Sequence, residues 1–236
     1  MDTLLGNQSR LRQPWCEVRG SDAVVSATWT HRDLDIVESL ALRTRLLTLK
    51  QIARLWWPAS ARGDFLARRR LRRIAGAGLV DKVRINIHPI LELEGPVFSW
   101  QPGDPSPACE KIAYQVQKRW TQPAKPTSVY LASRLTRSLF ASFGGKSVEP
   151  VQATHDIHVG QMYVWYRENQ PQNAKHWVGE DALPKAGYEV KDPDAFLIDE
   201  SGVTDCLLEF AGKYSAKRIE AFHAHSTERQ VRYELW

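Results

Sequence analysis

Apolar residues recur at helical spacing in the first third of the chain and gather into short continuous runs in the last third, so the structural period changes along its length. Leu34, Val37, Leu40 and Ala41 mark one face of a helix predicted over residues 31–45, with Thr30 as its N-cap. Thr48 caps a second, over 49–57, that stops at Pro58. A third begins near Asp64 and ends at Gly76-Ala77-Gly78, where glycine accepts left-handed backbone. Residues 79–87 and 97–101 read as two strands around the turn-rich Leu93-Glu94-Gly95-Pro96, with Pro89 closing the first run. After the boundary chemistry of 103–107, the pattern predicts helices over 108–120, 128–143 (capped by Gly144-Gly145) and 157–168. Strands follow near 176–183, 195–199 and 203–210, then a helix over 215–227 and a last strand at 231–236.

Three helices followed by a β-hairpin is the winged-helix order. The later αβββαβ order is the core of the restriction-endonuclease-like fold, although other small α/β folds share it. The fold class read from the sequence is therefore α+β, with residues 1–28 as an arm without periodicity and 29–102 as a winged-helix DNA-binding domain. Residues 103–150 are a helical connector in this reading, and 151–236 a restriction-endonuclease-like domain. Tyr130, Leu131, Leu135 and Leu139 recur near helical spacing on the connector and suggest a dimer face.

Nine tryptophans and 43% hydrophobic residues in 236 are ample for packed cores. No apolar run approaches the roughly 20 residues that span a bilayer, and the first residues lack a basic start followed by an apolar stretch, so a cytoplasmic protein without membrane attachment is expected. Cys16, Cys109 and Cys206 are far apart and lack metal-ligand spacing, which argues against a disulfide framework or a zinc site. The net charge of +5 is unevenly spread. Between Arg43 and Arg84 there are twelve Lys/Arg and two acids, whereas between His176 and Phe210 there are nine Asp/Glu and two lysines. A basic front half attracts polyanions; an acidic patch repels them unless cations intervene.

With Leu71 at the centre of the inward side of the third helix, Ala67, Ile74 and Ala75 share that side and Arg69 and Arg73 project from the far one. Arg70 and Arg72 flank them, and Arg68 lies nearer the boundary. Guanidinium groups pair bidentately with phosphate or guanine, so this helix is expected to enter a major groove of double-stranded DNA, with Lys82 and Arg84 holding the backbone. A solvated charged face and a protein-binding winged helix are the competing readings of the same residues.

In the acidic half, Asp199-Glu200-Ser201-Gly202 is turn chemistry between two apolar runs. A two-residue loop at Glu200-Ser201 would place Asp194 opposite Leu207, making Asp194 and Glu209 diagonal neighbours on one face, where a divalent ion can bridge them. Glu180 lies on the preceding strand. A one-residue slip would separate the two carboxylates. Their bland reading is a turn cap for Asp194 and a surface position for Glu180; Glu209 follows Cys206-Leu207-Leu208, where a lone carboxylate is costly to bury. His155 and His158, three apart, read as structural residues because no third ligand completes a metal set at known spacing.

The order of pieces, with His155-Asp156-Ile157-His158-Val159, Trp177 and Glu180, Pro193-Asp194, and Glu209 with Gly212 and Phe222, resembles the replication-relaxation family of bacterial plasmids and mobile elements. The resemblance spans about residue 35 to residue 236, and Arg69 to Leu71 and Ala77 to Val80 carry it in the front half. It implies a DNA-binding accessory of replication or mobilisation, or a transcriptional regulator, with a homodimer or a replication partner. It also implies kinship with PD-(D/E)xK nucleases, in which an Asp and a Glu hold Mg²⁺ or Mn²⁺ and a lysine two residues after the Glu activates water. Asp194 and Glu209 match; position 211 is Ala, so Lys213 or Lys217 would have to supply the missing cation. With a migrated lysine, Glu180, Asp194, Glu209 and Lys213 form a metal-dependent deoxyribonuclease site. Without one, the site is a remnant that needs no cofactor, and a third possibility is an adaptor that binds partner proteins.

Overall fold

A computed structural model describes residues 28–142, 148–182 and 193–236. The arm expected over 1–28 falls outside these residues but for Thr28, as does the Gly144-Gly145 cap; the strand expected near 176–183, with Glu180 on it, ends at Gly179, and Glu180–Ala182 is a 3-10 turn instead. Among the described residues the protein is α+β, with eight α-helices and two sheets. In chain order the elements are α1 (His31–Glu38), a π-helical turn (Ser39–Arg43), β1 (Leu47–Thr48), α2 (Leu49–Trp56), α3 (Ala61–Gly76), β2 (Val80–Ile87), β3 (Phe98–Trp100) and α4 (Cys109–Gln117). They continue with β4 (Lys125–Ala132), α5 (Arg134–Leu139), α6 (Ala153–Asn169), α7 (Pro171–Lys175), β5 (Trp177–Gly179), β6 (Ala195–Ile198), β7 (Thr204–Glu209), α8 (Ala216–Glu228) and β8 (Arg232–Leu235).

The first three helices start where side chains can satisfy their unpaired amides. Thr30 and Asp33 form a reciprocal capping box on α1, Thr48 and Gln51 form one on α2, and the Ser60 hydroxyl accepts from the Gly63 amide at the start of α3. Gly78, at φ 73°, makes the left-handed turn out of α3 that a side chain would resist. Val37, Leu40, Ile52, Trp56, Ala67, Leu71 and Ile74 then close a core beneath an antiparallel sheet of order β1-β4-β2.

That sheet corrects two expectations. Residues 128–132, read as the start of a helix, lie in β4, which pairs with β2 from Val80↔Ala132 to Ile87↔Lys125 and with β1 at Leu47↔Tyr130. Val129 to Ala132 is a continuous apolar run because this central strand is buried on both sides, and such a run carries no period that separates strand from helix. The proposed dimer face dissolves with it: Tyr130 and Leu131 are buried in the sheet, whereas Leu135 lies exposed on the separate short α5. The strand read as the partner of β2 is β3, and it pairs instead with β8 at Phe98↔Leu235.

The second sheet has the order β3-β8-β7-β6-β5, antiparallel except for the parallel β7–β8 pair. On one side α4 and α8 pack through Ile112, Val116 and Ile219 onto Leu207 and Tyr233; on the other, Met162 and Tyr166 of α6 meet Leu208, Phe210 and Trp236. The segment expected to be a helical connector is thus divided between the two units, β4 joining the first sheet and α4 the second. Helix α6 buries 11 of its 17 residues, because it is enclosed between them. Gln51 of α2 donates to the Ile157 carbonyl and to Gln161, and Arg167 pairs with Asp35 of α1.

The β6–β7 hairpin also differs in register. Its loop has three residues, Glu200 to Gly202: Asp199 receives the Val203 amide on its side chain while its own amide donates to Val203, and Gly202 sits at φ 85°. A bulge between Leu197 and Ile198 adds a second one-residue slip, giving Leu197↔Cys206 and Ala195↔Leu208. Two slips restore the parity that one would have broken. Asp194, one residue beyond the last pair, therefore comes beside Glu209 directly instead of diagonally.

Candidate functional site

Two charged regions emerge. On α3, Ala67, Leu71 and Ile74 are buried, while Arg62, Arg68, Arg69, Arg72 and Arg73 are exposed on the remaining surface. Lys82 and Arg84 of β2 are exposed as well, and Lys82 pairs in register with Tyr130. Burial raises the Tyr130 pKa and the positive charges of Arg68 and Arg72 oppose the rise, so these two guanidinium groups lie near the β2–β4 ribbon. Arg70 stands apart from the set predicted to contact DNA. It points inward, donating from Nε to Asp33 at 2.6 Å and from Nη2 to both Asp33 and the Thr28 carbonyl. Asp33 is 1% exposed and also serves the α1 cap. Burial alone would raise its pKa; the bonds from Arg70 and Thr30 outweigh that and lower it.

The acids gather at the ends of β5, β6 and β7, where the π-helical turn after α1 docks. Gly179 permits the approach: a Cβ there would lie 2.6 Å from the Arg43 carbonyl oxygen. Trp177 Nε1 donates to that same oxygen at 2.8 Å, and Arg43 returns a bond to the Trp177 carbonyl. The result is a cleft of about 350 Å³, its open mouth included, lined by Arg43, Thr44, Arg45, His155, Asp156, Glu180, Asp181 and Asp194.

Each of the three predicted acids reaches this region, and each is engaged. Asp194 Oδ2 accepts from the Phe210 amide at 2.7 Å and lies 3.2 Å from His155 Nε2. Glu209 takes the Tyr214 hydroxyl on one oxygen and the Asp194 amide, at 3.3 Å, on the other. Glu180 is 3.3 Å from Arg45, which grips Asp181 with both Nε and Nη2 at 2.8 and 2.9 Å. Asp194 and Glu209 are 5% and 1% exposed, so these are interior bonds, not surface ones.

His155 is the central residue that sequence reasoning set aside. Burial works against its charge, but Asp194, Asp156 and Glu209 outweigh burial and push its pKa up to about 10, so it is an imidazolium at neutral pH. His158, one turn on, is the reverse. It is fully buried and stacked on Phe210; it donates from Nδ1 to the Thr154 carbonyl and accepts the Leu91 amide on Nε2. Burial pushes its pKa down to about 4, which suits the structural role expected of it. Lys213 lies over the Trp120 ring at 5.5 Å, and Lys217 is exposed on α8. Position 211 is a fully buried alanine. Among the described residues, Arg45 and His155 are cations ion-paired with acids of the cleft, and no motif spacing links them to Asp194 or Glu209.

Among the described residues, the Asp194 and Glu209 oxygens face amides, a hydroxyl and an imidazolium, and no group of three or more His, Cys, Asp or Glu is placed to hold a metal ion. What this arrangement does chemically is neutralise charge in the interior and lock the π-helical turn to the second sheet. Cys109 and Cys206 are buried free thiols, and among the described residues no helix is long and apolar enough to cross a membrane. Compared with protein-family models, curated proteins and solved structures, the chain has no significant match.

Proposed function

We propose that the protein binds double-stranded DNA through α3. In this reading α1 to α3 with β1, β2 and β4 are a winged helix, α3 is its recognition helix, and the segment between β2 and β4 is an enlarged wing whose β3 and α4 are absorbed into the second unit. The observation that carries the reading is the outward set Arg62, Arg68, Arg69, Arg72 and Arg73 on a helix whose opposite face is core. A solvated helix face ordinarily mixes both signs, and here Asp64 is the only acid of α3. At the front of α3, Ala61, Arg62, Asp64 and Phe65 are exposed, as groove entry requires.

The second unit is a PD-(D/E)xK-like domain with a degenerate site. Its β5-β6-β7-β8 order, with a parallel last pair and α6 and α8 on opposite faces, supports that assignment. The committed carboxylates, the buried Ala211 and the engagement of Lys213 with Trp120 argue for a structural remnant over a nuclease. The sequence resemblance implies a role in replication, mobilisation or transcriptional control of a plasmid or mobile element. The test is fluorescence anisotropy with a labelled 30-base-pair duplex, run beside cleavage assays on supercoiled, linear and single-stranded DNA with Mg²⁺ or Mn²⁺. Wild type should bind, and Arg69→Ala with Arg73→Ala should not. Undiminished binding by that variant overturns the DNA reading; cleavage abolished by Asp194→Ala overturns the remnant reading.

A further inference from the structure

Phe65 is 61% exposed on α3. A phenyl ring is one of the larger apolar groups a protein can bury, and the core of this unit is closed by Ala67, Leu71 and Ile74 on the opposite side of the same helix. At 100° per residue Phe65 falls between Arg69 and Arg72, within about 40° of each. It is the fifth residue of α3, in the N-terminal half that approaches base edges when such a helix enters a groove. An apolar side chain is thus held outward in the middle of a cationic surface.

We propose, resting on the DNA-binding reading, that Phe65 is a specificity-determining residue that contacts a thymine 5-methyl group in the major groove. Phenyl has no conventional donor or acceptor to offer a base edge, and the methyl of thymine is the apolar group that base pairs present in that groove. The flanking Arg69 and Arg72 hold phosphates or guanine, which brings the ring to the groove floor and fixes its register. The occupant follows from charge complementarity: a surface with arginine on both sides of the ring attracts a polyanion and repels a second copy of itself.

The experiment selects duplexes from a random-sequence library with the full chain, then replaces each thymine of the enriched duplex by uracil, which removes only the methyl. Wild type is expected to lose roughly fourfold in affinity at one position per bound molecule, the scale of one buried methyl. Phe65→Ala should bind the thymine and uracil duplexes equally, with an unchanged salt slope and thermal midpoint, and Phe65→Leu should recover part of the preference. If selection and salt-dependent binding persist but no uracil substitution matters, or Phe65→Ala keeps the preference, the inference fails and the DNA reading stands. A dimer that Phe65→Ala dissolves overturns it in favour of a self-association surface. Absence of any duplex binding removes the DNA reading itself.

Discussion

The outer face of α3 and the cleft at the ends of β5 to β7 both concentrate charge, and they differ in where that charge is answered. In the cleft each cation has an anion within reach: Arg45 meets Asp181, Glu180 and Asp156, and His155 meets Asp194 and Asp156. On α3, Arg70 alone is answered by another described residue, Asp33, and its neighbours are exposed. Charge density therefore does not mark a site by itself. Paired interior charge fixes geometry at a desolvation cost that its own bonds must offset, whereas outward charge of one sign keeps its attraction for something outside the chain.

That contrast can be broken at several points. A large stability effect is expected at Glu209→Ala, which removes an acceptor of the Tyr214 hydroxyl and of the Asp194 amide in the interior and should cost about 3 kcal/mol in urea unfolding. Were the acids a strained catalytic cluster, the same change would relieve repulsion and raise stability. Next, Arg70→Ala should cost about 2 kcal/mol by leaving Asp33 buried without its guanidinium, while Arg69→Ala on the same helix should stay within about 0.5 kcal/mol. Equal costs for the two would erase the distinction between inward and outward arginines.

A further effect concerns pH. His155 binds its proton more tightly folded than unfolded, so its contribution is complete below about 6.5 and is lost as pH rises through about 10. His158 has the opposite sign: its contribution is present above about 6.5 and is lost as pH falls toward about 4. Unfolding free energy measured across this range should peak near neutrality. His155→Gln should flatten the alkaline side alone.

Much of the fold was legible because its signals are local. Thr30, Thr48 and Pro58 bounded α1 and α2 from neighbouring residues, and the apolar runs of β6 and β7 announced a buried hairpin. The misread parts depend on partners distant in sequence. Nothing in residues 97–101 says that β3 pairs with β8, and Val129 to Ala132 becomes a strand because β1 and β2 supply hydrogen-bonding edges on both sides. Within the site, Asp194 and Glu209 were readable because one hairpin carries both. Arg45 and His155 come from other elements, and their convergence on the acids depends on Gly179 letting the π-helical turn approach. The same reasoning counted Arg70 among the outward arginines, since its partner Asp33 belongs to another helix.

The central claim is that the arginines of α3 other than Arg70 meet phosphate. The salt dependence of duplex affinity measures this directly, because each neutralised phosphate contributes about −0.9 to the slope of log K against log salt. Wild type should give a slope of about −4 or steeper, and replacing Arg68, Arg69, Arg72 and Arg73 by alanine should make it shallower by up to about 3.6, with the thermal midpoint unchanged. An equal slope in the two proteins would contradict the account.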